Sequence, residues 1–289
     1  MHFDFLHDVL WREDVHDLTL QLYQDAARSC SVRSSHYTDE ILTYTNAIVE
    51  HATLEDSLST QDLLIRCYEV SGQYDKAISY GINAMRQLGF DLPLTPTRSL
   101  LAQKVVDTEQ LILSHNTDQL MKEFNKVDSK TRNVLRLVDS IIHSAYQIGS
   151  PYFLLCGCEG VKWSLNHGFC DTSAPAFGAF AYFKLMIQQD FNGVRFYVDM
   201  IVEMVKKSKL SMLSFGYKFY GFLHFWFVPL RETQTILLNL YKKAIRKGET
   251  AVAYSSLTGY YRFSFFCGDK LSILSKGIEQ QLKSMVSVK

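Results

Sequence analysis

Apolar residues recur along this chain at the spacing of an α-helix. In the segment 132–148 they lie three, four and seven residues apart, and the opposite face is more polar. The segments 192–207 and 233–247 show the same pattern. The stripes consist of Leu135, Val138, Ile141, Ile142, Ala145 and Ile148; Val194, Val198, Ile201 and Val205; and Leu237, Leu240, Tyr241 and Ala244. No cluster of alternating strands is visible, so the pattern predicts an all-α fold.

Glycine and proline mark the expected ends of these helices. A helix is predicted over 75–88, with Gly89 as a left-handed cap and Pro93 beyond it. The other predicted pairs are 131–148 with 151–167, and 233–247 with 249–267. We expect about twelve to fourteen helices, mostly joined by about two to six residues. Short connections make neighbouring helices antiparallel, so the prediction is an irregular α-solenoid of helix hairpins.

The clearest repeat unit is the segment 61–89. The tetratricopeptide pattern has an early apolar pair, then an aromatic residue, then alanines 9 and 16 residues after it. The residues that follow or punctuate this pattern are Leu64, Ile65, Tyr68, Gly72, Tyr74, Ala77, Ala84 and Gly89. Small alanines let two helices approach closely, and tyrosine fills the remaining space. The unit departs from the pattern at Gly81, where an aromatic residue is usual, and at Gly89, where proline is usual.

The stretch from Arg66 to Pro93 resembles a segment in the helical repeat region of large multidomain signalling ATPases. Those proteins combine a serine/threonine kinase-like domain, a STAND-type AAA ATPase domain, a GAF domain and often a histidine kinase. Looser similarities follow in the same order as far as about residue 275. The resemblance implies a tetratricopeptide-like scaffold that relays signals between ATPase and output domains. Its partners would be other proteins or neighbouring domains of the same chain.

The expected organisation is one continuous helical-repeat array over residues 1–289, with a soft boundary near 90–97. Hydrophobic residues make up 47% of the chain and aromatic residues 13%, which is enough for a continuous core. The resemblance also implies that this sequence is a piece of a longer protein.

The charge balance argues against a nucleic-acid partner. The chain has 30 Lys and Arg against 30 Asp and Glu, whereas nucleic-acid binders usually carry a basic face. Two basic clusters lie at predicted helix C-termini, where cations oppose the helix dipole: Lys206, Lys207 and Lys209, and Lys242, Lys243, Arg246 and Lys247. A nucleic-acid-binding helical repeat is kept as the alternative to a protein-interaction scaffold.

Membrane association and secretion are not expected. The apolar run 212–230 is about long enough to span a bilayer, but Lys218 and His224 lie inside it. The start of the chain lacks a basic region and carries Asp4 and Asp8, so it does not resemble a signal peptide. The six cysteines are interpreted as reduced, mostly buried thiols: Cys30, Cys67, Cys156, Cys158, Cys170 and Cys267. These features predict a cytoplasmic protein.

Motifs that carry chemistry are missing from the sequence. No phosphate loop, dinucleotide fingerprint, kinase landmark or zinc-binding histidine pair occurs. We therefore expect no enzymatic activity, no cofactor and no metal. An all-α enzyme with a pocket on a concave face is the less favoured alternative.

Single residues that are candidates for catalysis or binding are each expected to have a structural role or to be exposed to solvent. Cys156 and Cys158 lie in an apolar helix start, His224 is expected to be a hydrogen-bonded core histidine, and Glu203 to lie on a solvent face. The dense aromatics after residue 216 are expected to form inter-helix core, although an exposed aromatic patch would mark a partner surface. They are Tyr217, Tyr220, Phe222, Phe225, Trp226, Phe227, Tyr254, Tyr260, Tyr261, Phe263, Phe265 and Phe266.

Overall fold

The computed structural model describes residues 11–33, 38–90, 92–208 and 213–287. Within these ranges the chain forms fourteen α-helices and no β-strand, which confirms the all-α prediction. The helices are α1 (His16–Arg33), α2 (Thr38–His51), α3 (Leu54–Val70), α4 (Tyr74–Gln87), α5 (Arg98–Ser114), α6 (Thr117–Lys122), α7 (Ser129–Gln147), α8 (Tyr152–His167), α9 (Ala174–Phe183), α10 (Phe191–Lys207), α11 (Leu213–Phe222), α12 (Leu230–Arg246), α13 (Thr250–Phe266) and α14 (Leu271–Ser287).

Two compact units divide the chain, residues 1–176 and residues 177–289. The division falls inside α9, between Ala176 and Phe177. The soft boundary expected near 90–97 corresponds to the connection between α4 and α5, which belongs to the first unit.

In the first unit, consecutive helices pack on each other from α1 to α4. The order then changes, because α4 packs on α7 rather than on α5, and α5 packs on α8. The pair α7 and α8 forms a further hairpin. The core between these helices consists of fully buried aliphatic side chains, among them Leu64, Ile65, Met85, Leu135, Val138 and Leu155.

In the second unit, α12 and α13 form a hairpin, against which α11 packs. Helix α14 packs on α13. The buried residues of the α12–α13 hairpin include Leu237, Ala244, Ala253 and Phe263.

Helix ends lie close to the positions that glycine and proline predicted. Gly89 adopts φ 81° after α4, and the Phe90 amide donates a hydrogen bond to the Met85 carbonyl at 3.0 Å. This is the Schellman type of helix ending, which a left-handed glycine permits without strain.

The apolar run proposed as a membrane candidate is not one helix. Its Met212 lies outside the described residues, α11 ends at Phe222, and a short 3₁₀ turn over His224–Trp226 precedes Pro229 and α12. Of the helices that the structure describes, none combines the length and the hydropathy needed to cross a bilayer.

Candidate functional site

The repeat residues meet where α3 packs on α4. Leu64, Ile65, Ala77 and Ala84 are buried, and Tyr68 is buried beside the half-buried Tyr80 with ring centroids 6.5 Å apart. The remaining three lie at the ends of α4: Tyr74 is its half-buried first residue, Gly72 has φ 71° in the preceding turn, and Gly89 has φ 81° in the following one. Each of the eight residues therefore contributes either to the packing between α3 and α4 or to the ends of α4.

Gly81 is buried at the point where α4 approaches α7. A Cβ atom at this position would lie 2.6 Å from Cγ1 of Ile141 and 3.3 Å from Cδ1 of Ile65. The space that an aromatic residue fills in the usual repeat is occupied here by Ile141. The departure from the repeat pattern thus has a steric cause, which the sequence pattern did not reveal.

A line of polar contacts joins α3 to α7. The Ser140 hydroxyl donates to Asp62 Oδ1 at 2.7 Å, and the Ser144 hydroxyl donates to Glu69 Oε1 at 2.8 Å. Arg66 Nε donates to Asp62 Oδ2 at 3.0 Å, and this carboxylate raises the pKa of Arg66. Hydrogen bonds between buried polar side chains fix the register of two packed helices.

A second buried polar cluster ties the loop before α7 to the loop after α8. The Arg132 guanidinium donates to Asp171 Oδ1 at 2.5 Å, and the Asp171 carboxylate is only 3% exposed. Asn125 has a φ of 68°. Its side-chain Oδ1 accepts a hydrogen bond from the Asp171 backbone amide at 3.1 Å, and its backbone amide donates to the Phe169 carbonyl at 2.8 Å. The cluster joins these two parts of the chain, and its polar atoms form hydrogen bonds with each other.

The thiols of Cys156 and Cys158, two residues apart near the start of α8, are deeply buried. Burial raises the pKa of Cys156 far above its usual value and that of Cys158 to about 12. Both therefore stay protonated at neutral pH, a form that is a poor nucleophile. Four of the six cysteines are buried, as the sequence led us to expect, and all six are free of disulfide bonds. Glu203 is exposed and lies 3.5 Å from Lys207, as expected for a solvent face.

His224 is buried among aromatic rings in the second unit. Its ring centroid lies 5.5 Å from that of Phe219 and 5.0 Å from that of Tyr220. The core position was expected, but among the described residues its buried Nδ1 finds no hydrogen-bond partner. Burial lowers the pKa of His224, because the charged imidazolium loses its hydration.

We expect His224 to make the protein less stable in acid. Its folded pKa lies below its unfolded value, so its contribution is complete above the unfolded value and is lost as the pH falls through the folded pKa. Glu232 and Asp199 oppose the shift, and Arg195 reinforces it. The measurement is urea unfolding of wild type and His224→Phe at several values between about pH 7 and pH 5.

The wild-type midpoint should fall more steeply on acidification than that of His224→Phe. The control is Leu237→Ala, which removes a buried apolar side chain of the same unit, leaves every titratable group in place and should keep the wild-type pH slope. Equal slopes for all three proteins would contradict the role of His224.

The aromatic residues of the second unit do not all lie in the core. Phe263 is buried, but Phe265 is 58% exposed, Phe266 63% and Trp226 46%, so the core prediction is wrong for these three. The side chain of Tyr217 lies outside the described residues. The exposed rings at the end of α13 are followed directly by α14, where four aliphatic side chains are also exposed: Leu271, Ile273, Ile278 and Leu282.

The zero net charge conceals a division between the two units. Residues 1–176 contain 14 Lys and Arg against 23 Asp and Glu, a formal net charge of −9. Residues 177–289 contain 16 Lys and Arg against 7 Asp and Glu, a formal net charge of +9. The predicted basic clusters contribute to the second unit, with Lys206 and Lys207 in the last turn of α10 and Lys209 outside the described residues.

Comparison of the chain with protein-family models, curated proteins and solved structures finds no match. The likeness to the repeat region of signalling ATPases therefore rests on the sequence motifs alone. Among the residues that the structure describes, no group of three or more His, Cys, Asp or Glu side chains is placed to hold a metal ion.

Proposed function

We propose that the chain is a non-catalytic scaffold, built as an irregular α-solenoid of helix hairpins, that presents surfaces to other proteins or to neighbouring domains of a longer chain. The observation that carries this proposal is the apolar surface at the end of the second unit. Phe265, Phe266, Leu271, Ile278 and Leu282 are each at least 41% exposed there. Clustered exposed apolar residues are typical of partner-binding surfaces.

The packing order supports a solenoid-like array. Consecutive helices pack from α1 to α4 in the first unit and from α11 to α14 in the second. A stack of this kind buries each hairpin against its neighbours and leaves the outer faces available for partners. The unpaired cysteines fit a reducing, cytoplasmic setting. A relay between ATPase and output domains is the specific role that the sequence resemblance suggests.

The carboxylates that are largely shielded from water support a structural role. Asp62, Asp171 and Glu159 each pair with a basic side chain of the same unit, namely Arg66, Arg132 and Lys104. Their hydrogen-bonding atoms are engaged in joining helices or loops. This arrangement favours the scaffold over the all-α enzyme.

A nucleic-acid-binding repeat is the second candidate, and the +9 charge of residues 177–289 favours it. Phosphate contacts dominate such binding and weaken steeply with salt. The exposed aliphatic residues of α14 argue for a protein partner instead, because they offer no hydrogen bonds to bases or phosphates.

The test compares three forms of the tagged full chain in its source cells: wild type, Phe266→Asp with Ile278→Asp, and the control Leu113→Asp. Leu113 is 86% exposed and lies on α5 of the first unit. After crosslinking and mass spectrometry, we expect a defined set of proteins to fall about tenfold only in the double variant. Equal recovery from all three forms, or recovery of nuclease-sensitive nucleic acid alone, would contradict the proposal.

A further inference from the structure

The connection between α4 and α5 carries an exposed threonine. The last part of this connection and the first residue of α5 read Leu-Thr-Pro-Thr-Arg over residues 94–98. Leu94 is 72% exposed, and Thr95 is exposed as well. Among the residues that the structure describes, the Thr95 hydroxyl forms no hydrogen bond, so its oxygen is available for reaction.

The loop is held in place on both sides of this threonine. On one side, the Tyr152 hydroxyl shares its proton between the carbonyl oxygens of Pro93 and Leu94, at 2.8 Å and 2.7 Å. On the other side, the Thr97 hydroxyl caps α5 and accepts a hydrogen bond from the Leu100 amide at 3.2 Å. The exposed threonine therefore lies between two fixed points of the first unit.

Two prolines favour an extended backbone in this loop. Pro93 and Pro96 have φ restricted to about −65°, and each disfavours the helical conformation in the residue before it. One of those preceding residues is Thr95. Because exposed loop tips are also the sites that enzymes acting on polypeptides reach most readily, the sequence and the exposure together favour enzymatic access to Thr95.

The residues after Thr95 match the preference of one class of enzyme. Proline-directed serine/threonine kinases act on a Ser or Thr that proline follows directly, and many of them favour a basic residue at the third position. Here these residues are Pro96 and Arg98. Proline has no backbone N–H, so a pocket without a hydrogen-bond acceptor at this position disfavours other residues. The arginine adds a charge that an acidic group of the enzyme can pair with.

The chain contains one other Ser/Thr-Pro pair, Ser150-Pro151, which differs in both respects. Ser150 is half-buried, and its hydroxyl oxygen accepts a hydrogen bond from the Tyr152 amide at 3.4 Å. The third residue after Ser150 is Phe153, which carries no charge. Ser150 is therefore an internal control for Thr95.

We propose that Thr95 is a phosphorylation site for a proline-directed serine/threonine kinase. In this reaction the Thr95 Oγ attacks the γ-phosphorus of magnesium-bound ATP, and the bond between that phosphorus and the leaving ADP oxygen breaks. The hydroxyl proton passes to a carboxylate of the kinase, and the products are phosphothreonine and ADP. The inference goes beyond the scaffold function and does not depend on it.

The phosphate adds negative charge just before α5. The first turn of this helix contains no acidic residue, and Thr95 precedes the N-cap residue Thr97 by two positions. A phosphate carries a charge of about −1.5 to −2, which is favourable near the N-terminus of a helix. The charged residues within 86–98 are Arg86, Asp91 and Arg98, of which Asp91 lies outside the described residues. Two cations and one carboxylate thus accompany the phosphate in the sequence, so we expect phosphorylation to stabilise the start of α5.

The test is phosphorylation of the purified full chain by a purified cyclin-dependent kinase with magnesium ATP, followed by peptide mass spectrometry. The wild type should take up phosphate at Thr95, and Thr95→Ala should take up none. Pro96→Ala should react at least about a hundredfold more slowly, and Arg98→Ala about tenfold more slowly. Ser150→Ala is the matched control and should react at the wild-type rate. Circular dichroism of each variant verifies that the helices are retained.

A synthetic peptide of residues 88–104 separates the motif from its presentation in the fold. If the loop is accessible, the folded chain should react at a rate within about tenfold of that of the peptide. In addition, the tagged full chain isolated from its source cells with phosphatase inhibitors should carry phosphate at Thr95.

The phosphorylated chain should unfold at a higher temperature than the unmodified chain. We expect Tm to rise by about 2 °C at low salt, because the phosphate opposes the positive end of the α5 dipole. The rise should be at most about half as large in 0.5 M salt, roughly, because salt screens exposed charges. A lower Tm on phosphorylation would contradict the stabilisation of α5.

Three results would overturn the assignment of Thr95. The first is phosphate on Thr97 or Ser99 in place of Thr95. The second is rapid reaction of the peptide with no reaction of the folded chain, which would mean that the fold hides the motif. The third is a chain from the source cells that carries no phosphate at Thr95 in either growing or starved cultures.

Discussion

Replacing Gly81 with phenylalanine should destabilise the first unit by about 3 kcal/mol or more. The usual repeat has an aromatic residue at this position, but here even a Cβ atom would lie 2.6 Å from the Ile141 side chain. A benzyl group has no space unless α4 moves away from α7, which would expose apolar surface now buried between them. The measurement is the free energy of unfolding in urea, followed by far-ultraviolet circular dichroism.

The matched control is Asn83→Phe, which places the same side chain on the exposed face of α4. It should change the free energy of unfolding by no more than about 0.5 kcal/mol. If both variants unfold at the wild-type midpoint, the close approach of α4 and α7 at Gly81 is wrong.

Asp171→Ala should cost about 3 kcal/mol of stability. The change removes a carboxylate that is 3% exposed and leaves the Arg132 guanidinium, which is 25% exposed, without its charged partner. This loss is at the lower end of the range of destabilisation for a broken buried ion pair, because Arg132 can reach water. Urea unfolding at neutral pH measures the loss.

Glu123→Ala is the control for Asp171→Ala, since it breaks an exposed ion pair with Lys126 in the same part of the chain. Exposed pairs contribute little, so the expected change is at most about 0.5 kcal/mol. Asp171→Asn should fall between the two, because the amide oxygen still accepts a hydrogen bond while the charge is lost. A cost for Asp171→Ala no larger than that of Glu123→Ala would contradict the buried pair.

The helices and their ends could be predicted because they depend on neighbours in the sequence. The cap at Gly89 and the apolar stripe of α7 are visible within a few residues of chain. Gly81 could not be interpreted in this way, because its reason is Ile141, which lies far along the chain in α7. The pairing of Arg132 with Asp171 depends likewise on the packing that brings α7 close to the segment after α8.

The exposure of the aromatic residues could not be predicted from the sequence, whereas the charge division between the units could be counted once the boundary was known. Periodicity alone could not separate the buried Phe263 from the exposed Phe265 and Phe266, because aromatics at helical spacing occur both in cores and on surfaces. The charge division was present in the sequence but was hidden by counting the whole chain at once. Counting each unit separately reveals it, and this requires the position of the boundary.

The boundary between the two units lies inside a helix, which limits where the protein can be divided into fragments. Helix α9 begins in the first unit and ends in the second, so no linker is available for cleavage between Ala176 and Phe177. Ala176 lies against Gly160 of α8, and Phe180 lies 5.5 Å from Tyr197 of α10. A cut at this point would break the backbone hydrogen bonds of α9, which runs from Ala174 to Phe183. Fragments meant to behave like the intact chain should therefore keep α9 whole.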